Sequence, residues 1–460
     1  MQKVLLIGGS GKQSGAVYLP ILLDTARNDL QLVAIADPLD PLKSKFASKY
    51  SDLLQSAKTR WLPLKNDPTE DLRVLSDFFK QEPFDTLAIS CPPLYHAMYV
   101  AWGLKHGTDV IVDKPFVCLK NQFGDASAAK KLRKEYTELQ QLRDSSHHRT
   151  HKRKCMVAVP LMRRAAAPYT TILQNIREVY EMTGQHITHM QALRSDGCFR
   201  FADEFDRPGA HGYREGLGTL TMSGYHYLDY IAACVMAAPP EGNVLEAHMV
   251  KQTIVGDVRK TSQDVPYARF LKRANVEVDG SFQGDNAELD FSVSFSVKKP
   301  KAILPECDLQ FSFIQRGCTR RISPSYSLQT THDEGLTNDC VMVVHQGPLQ
   351  SFHTLVAQDS TTNGRISVVR RINPTLAEKL GIPPLTITDY ELKNNENIQR
   401  NQTIINGLLD KFSGKDNSGL FDQLDAKYQS FTMELYAATI GASVKNYRVS
   451  FDPKLWNTAR

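Results

Sequence analysis

A short apolar strand running straight into a glycine cluster narrows the fold of this chain more than any other feature. Lys3-Val4-Leu5-Leu6-Ile7 is followed at once by Gly8-Gly9-Ser10-Gly11-Lys12-Gln13-Ser14-Gly15. Glycine is needed where a backbone turns tightly and comes close to a pyrophosphate. A helical pattern over 11–27 follows, and a helix there aims its N-terminal N–H groups and partial positive charge at phosphates. Gly9, Ser10, Gly11 and Gly15 are therefore the expected cofactor cradle. The spacing departs from G-x-G-x-x-G, since the third glycine comes one place late, at Gly15. Gln13 after Gly11-Lys12 excludes a Walker loop, and Ser10 lacks the later glycine of a nucleophile elbow.

Asp37 ends the second apolar run, 26 residues after Gly11. A carboxylate there can accept hydrogen bonds from the adenosine ribose and repel a 2′-phosphate, which favours NAD over NADP. The plain alternative is a turn aspartate before Pro38.

Up to Val159, short apolar runs (Val4–Ile7, Leu30–Ala36, Thr86–Cys91, Val110–Val112, Met156–Val159) alternate with helical patterns. That alternation predicts βαβ units, and short, non-alternating apolar runs fit strands of a parallel sheet buried on both faces. After Pro160 come two helical patterns, Ala165–Met182 and Leu217–Val235, and a series of strands such as Leu289–Val297 and Leu309–Ile314. Strands in series predict a mostly antiparallel sheet. The expected fold is an α/β Rossmann domain over 1–160 and an α+β domain over 161–460. Phe421, Leu424, Tyr428, Phe431, Leu435, Ala438 and Ala442 follow helical spacing and predict a core-facing helix, with an oligomer seam as the alternative.

Several function classes drop out. Net charge is +5 over 460 residues, too mild for a dedicated nucleic-acid binder. The eight cysteines form no CxxC pair, so neither a disulfide framework nor a metal site is expected, and a reduced, cytoplasmic protein is. No apolar run reaches membrane-spanning length, and the run of four at the start is too short for a signal peptide. The basic run His147-His-Arg-Thr-His-Lys-Arg-Lys154 has no interleaved aromatics and is expected to be a solvated, dispensable loop.

Two further stretches carry the chemistry. Asp85-Thr-Leu-Ala-Ile-Ser-Cys-Pro92-Pro-Leu-Tyr-His96 leads through a helical pattern to Asp109-Val-Ile-Val-Asp113-Lys114-Pro115. Later comes Gly216-Leu-Gly-Thr-Leu-Thr-Met222-Ser-Gly224-Tyr-His226-Tyr-Leu-Asp229. With these, the chain resembles the glucose–fructose oxidoreductase / inositol dehydrogenase (Gfo/Idh/MocA) family over residues 1 to about 240. That family has Pro-x-x-x-His, then Glu-Lys-Pro, then G-G-x-x-x-D-x-G-x-H-x-x-D. The resemblance implies cofactor contacts at Pro92, His96, Asp113 and Lys114, and catalytic roles for Lys114 and His226. It also implies substrate contacts near Arg164 and Asp229; Tyr225 and Arg194–Arg200 are further rim candidates.

The chemistry agrees. An ammonium past the end of a parallel strand can hold a substrate oxygen and stabilise negative charge as hydride leaves. Imidazole titrates near neutrality and suits transfer of the hydroxyl proton. A surface-turn lysine and a structural helical histidine are the plain alternatives. Pro115 is a candidate cis residue. Two departures stand out: Asp113 is one methylene shorter than the family's glutamate, and Met222 stands where many relatives carry aspartate. The expected activity is NAD(P)-dependent oxidation or reduction of a sugar, polyol or related secondary alcohol or ketone, with NAD favoured over NADP. A homo-oligomer, dimer or tetramer, is expected, with no nucleic-acid or membrane partner. An NAD-dependent glycosidase using transient oxidation, and a non-catalytic nucleotide-binding regulator, are the alternatives.

Overall fold

The computed structural model describes residues 1–195, 212–257, 286–314, 337–359, 364–392, 396–416, 419 and 421–459. The chain divides into two units. The first comprises Met1–Cys118, Lys134–Ala165 and Asn395–Tyr428; the second comprises Leu119–Arg133, Ala166–Asn394 and Gln429–Arg460.

In the first unit, β1 (Gln2–Ile7), β2 (Leu30–Asp37), β3 (Arg60–Pro63), β4 (Thr86–Ile89), β5 (Asp109–Val112) and β6 (Val157–Ala158) form a parallel sheet in the order β3-β2-β1-β4-β5-β6. Val4, Leu5, Leu6, Leu87, Val110 and Ile111 are completely buried, as strands covered on both faces require. Chain order reverses direction beside β1, the switch point at whose carboxyl edge open α/β sheets bind their ligands. β3 was not legible in the sequence because its residues are largely exposed and form no apolar run.

The expected boundary at residue 160 is only part of the division. The helix Glu396–Phe412 buries Ile404, Ile405, Leu408, Leu409 and Phe412 within the first unit. Arg27 donates to Asn406 Oδ1 (2.6 Å) and Asp410 Oδ1 (2.6 Å), and Gln402 donates to the Ala16 carbonyl (2.8 Å). An apolar helical stripe must be covered, and here the dinucleotide-type sheet's own helices cover it.

The basic run is exposed over most of its length, but it is anchored to the sheet rather than loose. His148 is buried, Arg149 donates to Asp85 Oδ1 (2.7 Å) and the Phe84 carbonyl (3.0 Å), and Arg153 grips Asp109 with both terminal nitrogens (2.9 and 2.6 Å). The buried carboxylate of Asp109 and the partly buried one of Asp85, at the amino ends of β5 and β4, call for cations, and this segment supplies them. His147, Arg149, Thr150, His151, Lys152 and Lys154 are exposed, as a solvated loop requires, so the departure from that expectation is confined to the anchoring made by His148, Arg149 and Arg153.

The second unit holds β7 (His189–Ser195), β8 (Val244–Ile254), β9 (Glu288–Lys298), β10 (Cys307–Ile314), β11 (Thr337–Gln346), β12 (Gln350–Asp359), β13 (Gly364–Ile372), β14 (Leu385–Leu392) and β15 (Tyr447–Ser450). Their order is β14-β13-β12-β11-β7-β10-β9-β8-β15, antiparallel except for the β7–β10 pair. Phe291, Val293, Phe295 and Val297 alternate inward along β9, with Ser292, Ser294 and Ser296 between them. The helix Tyr225–Ala237 packs on this face, Tyr227 stacking on Phe311. The stripe predicted from Phe421 becomes a regular helix only at Ser430–Ala442, after two 3-10 turns. Phe431, Leu435, Ala438 and Ala442 are buried in it. No helix among the described residues is long and apolar enough to cross a membrane.

Candidate active site

Backbone hydrogen bonds align four strand ends in the first unit. Gly8 N–H donates to the Ala36 carbonyl (2.9 Å), Ser90 N–H to Ile7 (2.8 Å) and Asp113 N–H to Ile89 (3.0 Å). Asp37, the glycine loop, the Ser90–Pro92 turn and Asp113-Lys114 therefore stand side by side at the carboxyl edge, as expected.

The loop glycines divide into two kinds. A Cβ on Gly8, which has φ +87°, would lie 2.5 Å from the Ser90 carbonyl oxygen; on Gly9, 2.3 Å from Ile35 Cγ2; on Gly15, 2.7 Å from the Phe46 carbonyl oxygen. These three are packing requirements, and Gly8 escaped the sequence reading. Gly11 is different, because a Cβ there meets nothing nearer than 3.7 Å. That open space beside bare backbone suits a phosphate group. Ser14 Oγ on the Gly8 carbonyl (2.5 Å), Ser44 Oγ on Ser10 (2.7 Å) and Tyr50 OH on Gly15 (3.0 Å) hold the loop in shape.

Asp37 is 4% exposed and accepts from Ser10 N–H (2.9 Å), Ser10 Oγ (2.7 Å) and Leu39 N–H (2.8 Å). A carboxylate offers about four acceptor positions, so roughly one remains for a ribose hydroxyl. Its first task is internal: it ties the end of β2 to the glycine loop.

Asp113 accepts from Tyr18 OH (2.8 Å) and Ser90 Oγ (2.7 Å). Burial pushes its pKa up, against the hydrogen bonds from Ser90 and Tyr18. Neither donor was foreseen, because a tyrosine on the helix after the loop and a serine ending β4 carry no motif. His96 is completely buried, with Nδ1 2.8 Å from the Pro115 carbonyl oxygen and Nε2 3.0 Å from that of Cys91. The direct cofactor contact expected of His96 is corrected accordingly: its ring faces backbone. Pro92 is exposed in the adjoining turn, Lys114 is half-buried, and the Lys114–Pro115 peptide is cis.

In the second unit, a π-helical turn Leu220–Gly224 leads into the helix Tyr225–Ala237. From Gly216 to Pro240 every residue is buried except Met222, Ser223 and His226. His226 is thus the titratable side chain that this helix leaves accessible. The other expected substrate residues are corrected by burial. Asp229 is 0% exposed and accepts from Gln429 Nε2 (3.0 Å) and Thr432 Oγ1 (2.9 Å). Tyr225, also 0% exposed, donates to Gln429 Oε1 (3.1 Å). Arg164, in the first unit, is 3% exposed and donates to the Tyr428 carbonyl (3.1 Å). Arg194 is buried with its guanidinium over the Tyr227 ring, and residues 196–200 of the expected rim lie outside the described residues.

Glu288 was also missed. It is completely buried at the start of β9 and accepts from Gly218 N–H (3.2 Å) and Leu220 N–H (2.9 Å), anchoring the turn that begins the His226 segment. Gly218 is obligatory there, since its Cβ would lie 2.0 Å from the Glu288 carbonyl oxygen. Burial outweighs the backbone N–H groups and pushes the Glu288 pKa up to about 7. A carboxyl raised in the folded state stabilises fully below its unfolded pKa and loses that contribution as pH rises through about 7. Wild-type stability is expected to fall by about 3 kcal/mol across that window. Glu288→Gln should flatten the dependence of the melting temperature on pH, and an unchanged slope would assign it to other groups.

A parallel dinucleotide-type sheet joined to an α+β unit built on a large, mostly antiparallel sheet is the two-domain oxidoreductase fold. No family model and no curated protein matches the sequence. Solved structures match in fold. An oxidoreductase of Sinorhizobium meliloti is 13% identical with a TM-score of 0.51, covering 98% of this chain and 99% of that one. An oxidoreductase of Agrobacterium radiobacter, solved with NAD+, L-tartaric acid and magnesium, is 15% identical with a TM-score of 0.50, covering 98% of each. The transcriptional regulator Gal80p of Kluyveromyces lactis is 13% identical with a TM-score of 0.54, covering 97% of this chain and 90% of that one. One architecture thus serves both catalysis and regulation, and function must be argued from side chains.

Proposed function

We propose that this chain is a cytoplasmic, NAD-dependent oxidoreductase of the Gfo/Idh/MocA kind, acting on a sugar, polyol or related secondary alcohol or ketone. The observation that carries the proposal is the alignment of the open Gly11 backbone, Asp37 and Asp113-Lys114 on adjoining strand ends. A nicotinamide dinucleotide, when bound, supplies the hydride acceptor or donor. The glycine loop would hold its pyrophosphate, and the remaining acceptor position of Asp37 its ribose. Lys114 would hold the substrate oxygen and stabilise the charge that grows there. His226 would take the hydroxyl proton in oxidation and return it in reduction. The scattered spacing of the eight cysteines, with no CxxC pair, supports a cytoplasmic setting.

Nucleotide titration followed by fluorescence tests the proposal. NAD(H) is expected to bind more tightly than NADP(H), because the donors on Asp37 are neutral groups and leave its negative charge to repel a 2′-phosphate. Binding of neither nucleotide would end the proposal, and tighter NADP(H) binding would end the role given to Asp37.

A second reading, a nucleotide-binding regulator without turnover, is favoured by Met222. Of the three accessible side chains beside the helix start, one is a thioether where proton handling calls for a carboxylate. Net NADH formation with a panel of sugars and polyols separates the two readings. Self-association is supported by Leu193, Val341, Leu355 and Ile387, which are exposed on β7, β11, β12 and β14. Light scattering of the intact protein decides it, and a monomer would remove it.

A further inference from the structure

Lys114 lies between two residues whose partners come from neighbouring strand ends. On one side, Asp113 is held by Tyr18 OH and Ser90 Oγ. On the other, the Pro115 carbonyl oxygen is 2.8 Å from His96 Nδ1, and the same ring's Nε2 is 3.0 Å from the Cys91 carbonyl oxygen. His96 begins the helix His96–Lys105 and is completely buried, so no water competes for either nitrogen. Its ring therefore joins the turn after β4, which carries Pro92, to the turn after β5, which carries Lys114. Carbonyl oxygens only accept, so each bond needs a proton on the ring. A neutral imidazole has one N–H to give and the imidazolium has two. Burial draws the ring below the usual histidine range; Asp113 pulls it back up and Lys114 pushes it down.

We propose that His96 is a positioning residue for Lys114: its buried ring, seated between the Pro115 and Cys91 carbonyls and donating its N–H to one of them, fixes the backbone that aims the ammonium. The inference rests on the role proposed above for Lys114. It gives the Pro-x-x-x-His element a mechanical task in place of a nucleotide contact. Two short turns are loose elements when left alone, and a buried bridge between their carbonyls removes that freedom.

The test measures the reactivity of the Lys114 amine directly. Limiting acetic anhydride is applied to the intact protein over a pH series, and acylation of Lys114 and of Lys45, an internal control, is read by peptide mass spectrometry. His96→Leu fills similar space without donors. It is expected to change the Lys114 rate about three- to tenfold relative to Lys45, the worth of about one hydrogen bond expressed as a ratio. His96→Asn, whose shorter amide reaches one carbonyl at most, is expected to fall between wild type and Leu. It also serves as the deciding variant should Leu fail to fold. Wild-type Lys114 reactivity in a folded variant would overturn the brace, since space-filling alone would then account for His96. Where a turnover substrate is known, kcat should fall while the KM for nucleotide stays near wild type. A chain that turns over nothing, yet shows the shifted Lys114 reactivity, would sink the oxidoreductase reading and keep the brace.

Discussion

Lys114→Met and His226→Ala are each expected to lower kcat about 10²–10⁴-fold on any substrate the chain turns over, the usual worth of a positioned proton-transfer or charge-stabilising group. Nucleotide affinity should change far less, because the glycine loop and Asp37 are held by bonds of their own that involve neither Lys114 nor His226. The double variant should lose less than the product of the single losses, since groups serving one proton transfer act as a unit. Met222→Asp is the complementary change: an added carboxylate near His226 should alter the pH profile or the range of substrates. Wild-type turnover in both single variants would leave the two motifs as marks of ancestry and cofactor binding.

Arg153→Met is expected to destabilise the first unit by about 3 kcal/mol. Asp109 is 1% exposed, and its remaining donor is Met156 N–H at 2.8 Å. Removing the guanidinium leaves a buried carboxylate without its ion-pair partner, a loss of about 3–5 kcal/mol in buried pairs. The lower end applies, because the Arg153 side chain is 31% exposed and His148 Nε2 lies 3.6 Å from Asp109. Denaturant melts of wild type, Arg153→Met, Asp109→Asn and the double variant form the measurement. The double variant should recover much of the loss, because an amide without a guanidinium leaves no buried charge. A single-variant change below about 0.5 kcal/mol, typical of a surface substitution, would return the segment to the status of a solvated loop.

The doubly covered sheet was legible because β1, β2, β4 and β5 have short, non-alternating apolar centres separated by helical patterns, the order that βαβ units require. The edge strand β3 left no trace, since an exposed edge imposes no hydrophobic pattern. At the candidate site, residues on strand ends were found by motif. Those reached through space were not: Tyr18, Ser90 and Glu288 act through hydrogen bonds to distant segments. The helix residues show the same limit in another form. His226 and Asp229 are three positions apart and share a helix side, yet Gln429 and Thr432 cover one and leave the other accessible. Helical spacing gives direction, and burial depends on what packs there. The basic run was misread for this reason too, because the charges it answers, Asp85 and Asp109, lie about 40 to 60 positions earlier.

The return of residues 395–428 to the first unit has a bearing on synthesis. A ribosome that has made 165 residues has synthesised all six strands of the parallel sheet, but none of the helix Glu396–Phe412 that packs on this unit's helices. Arg27 then lacks Asn406 and Asp410, and Arg153 lacks the Phe412 carbonyl. The nucleotide-type unit therefore waits, with an apolar flank open, while more than half of the chain is still to be translated. Completion of the first unit is thus tied to synthesis of a segment that follows most of the second unit.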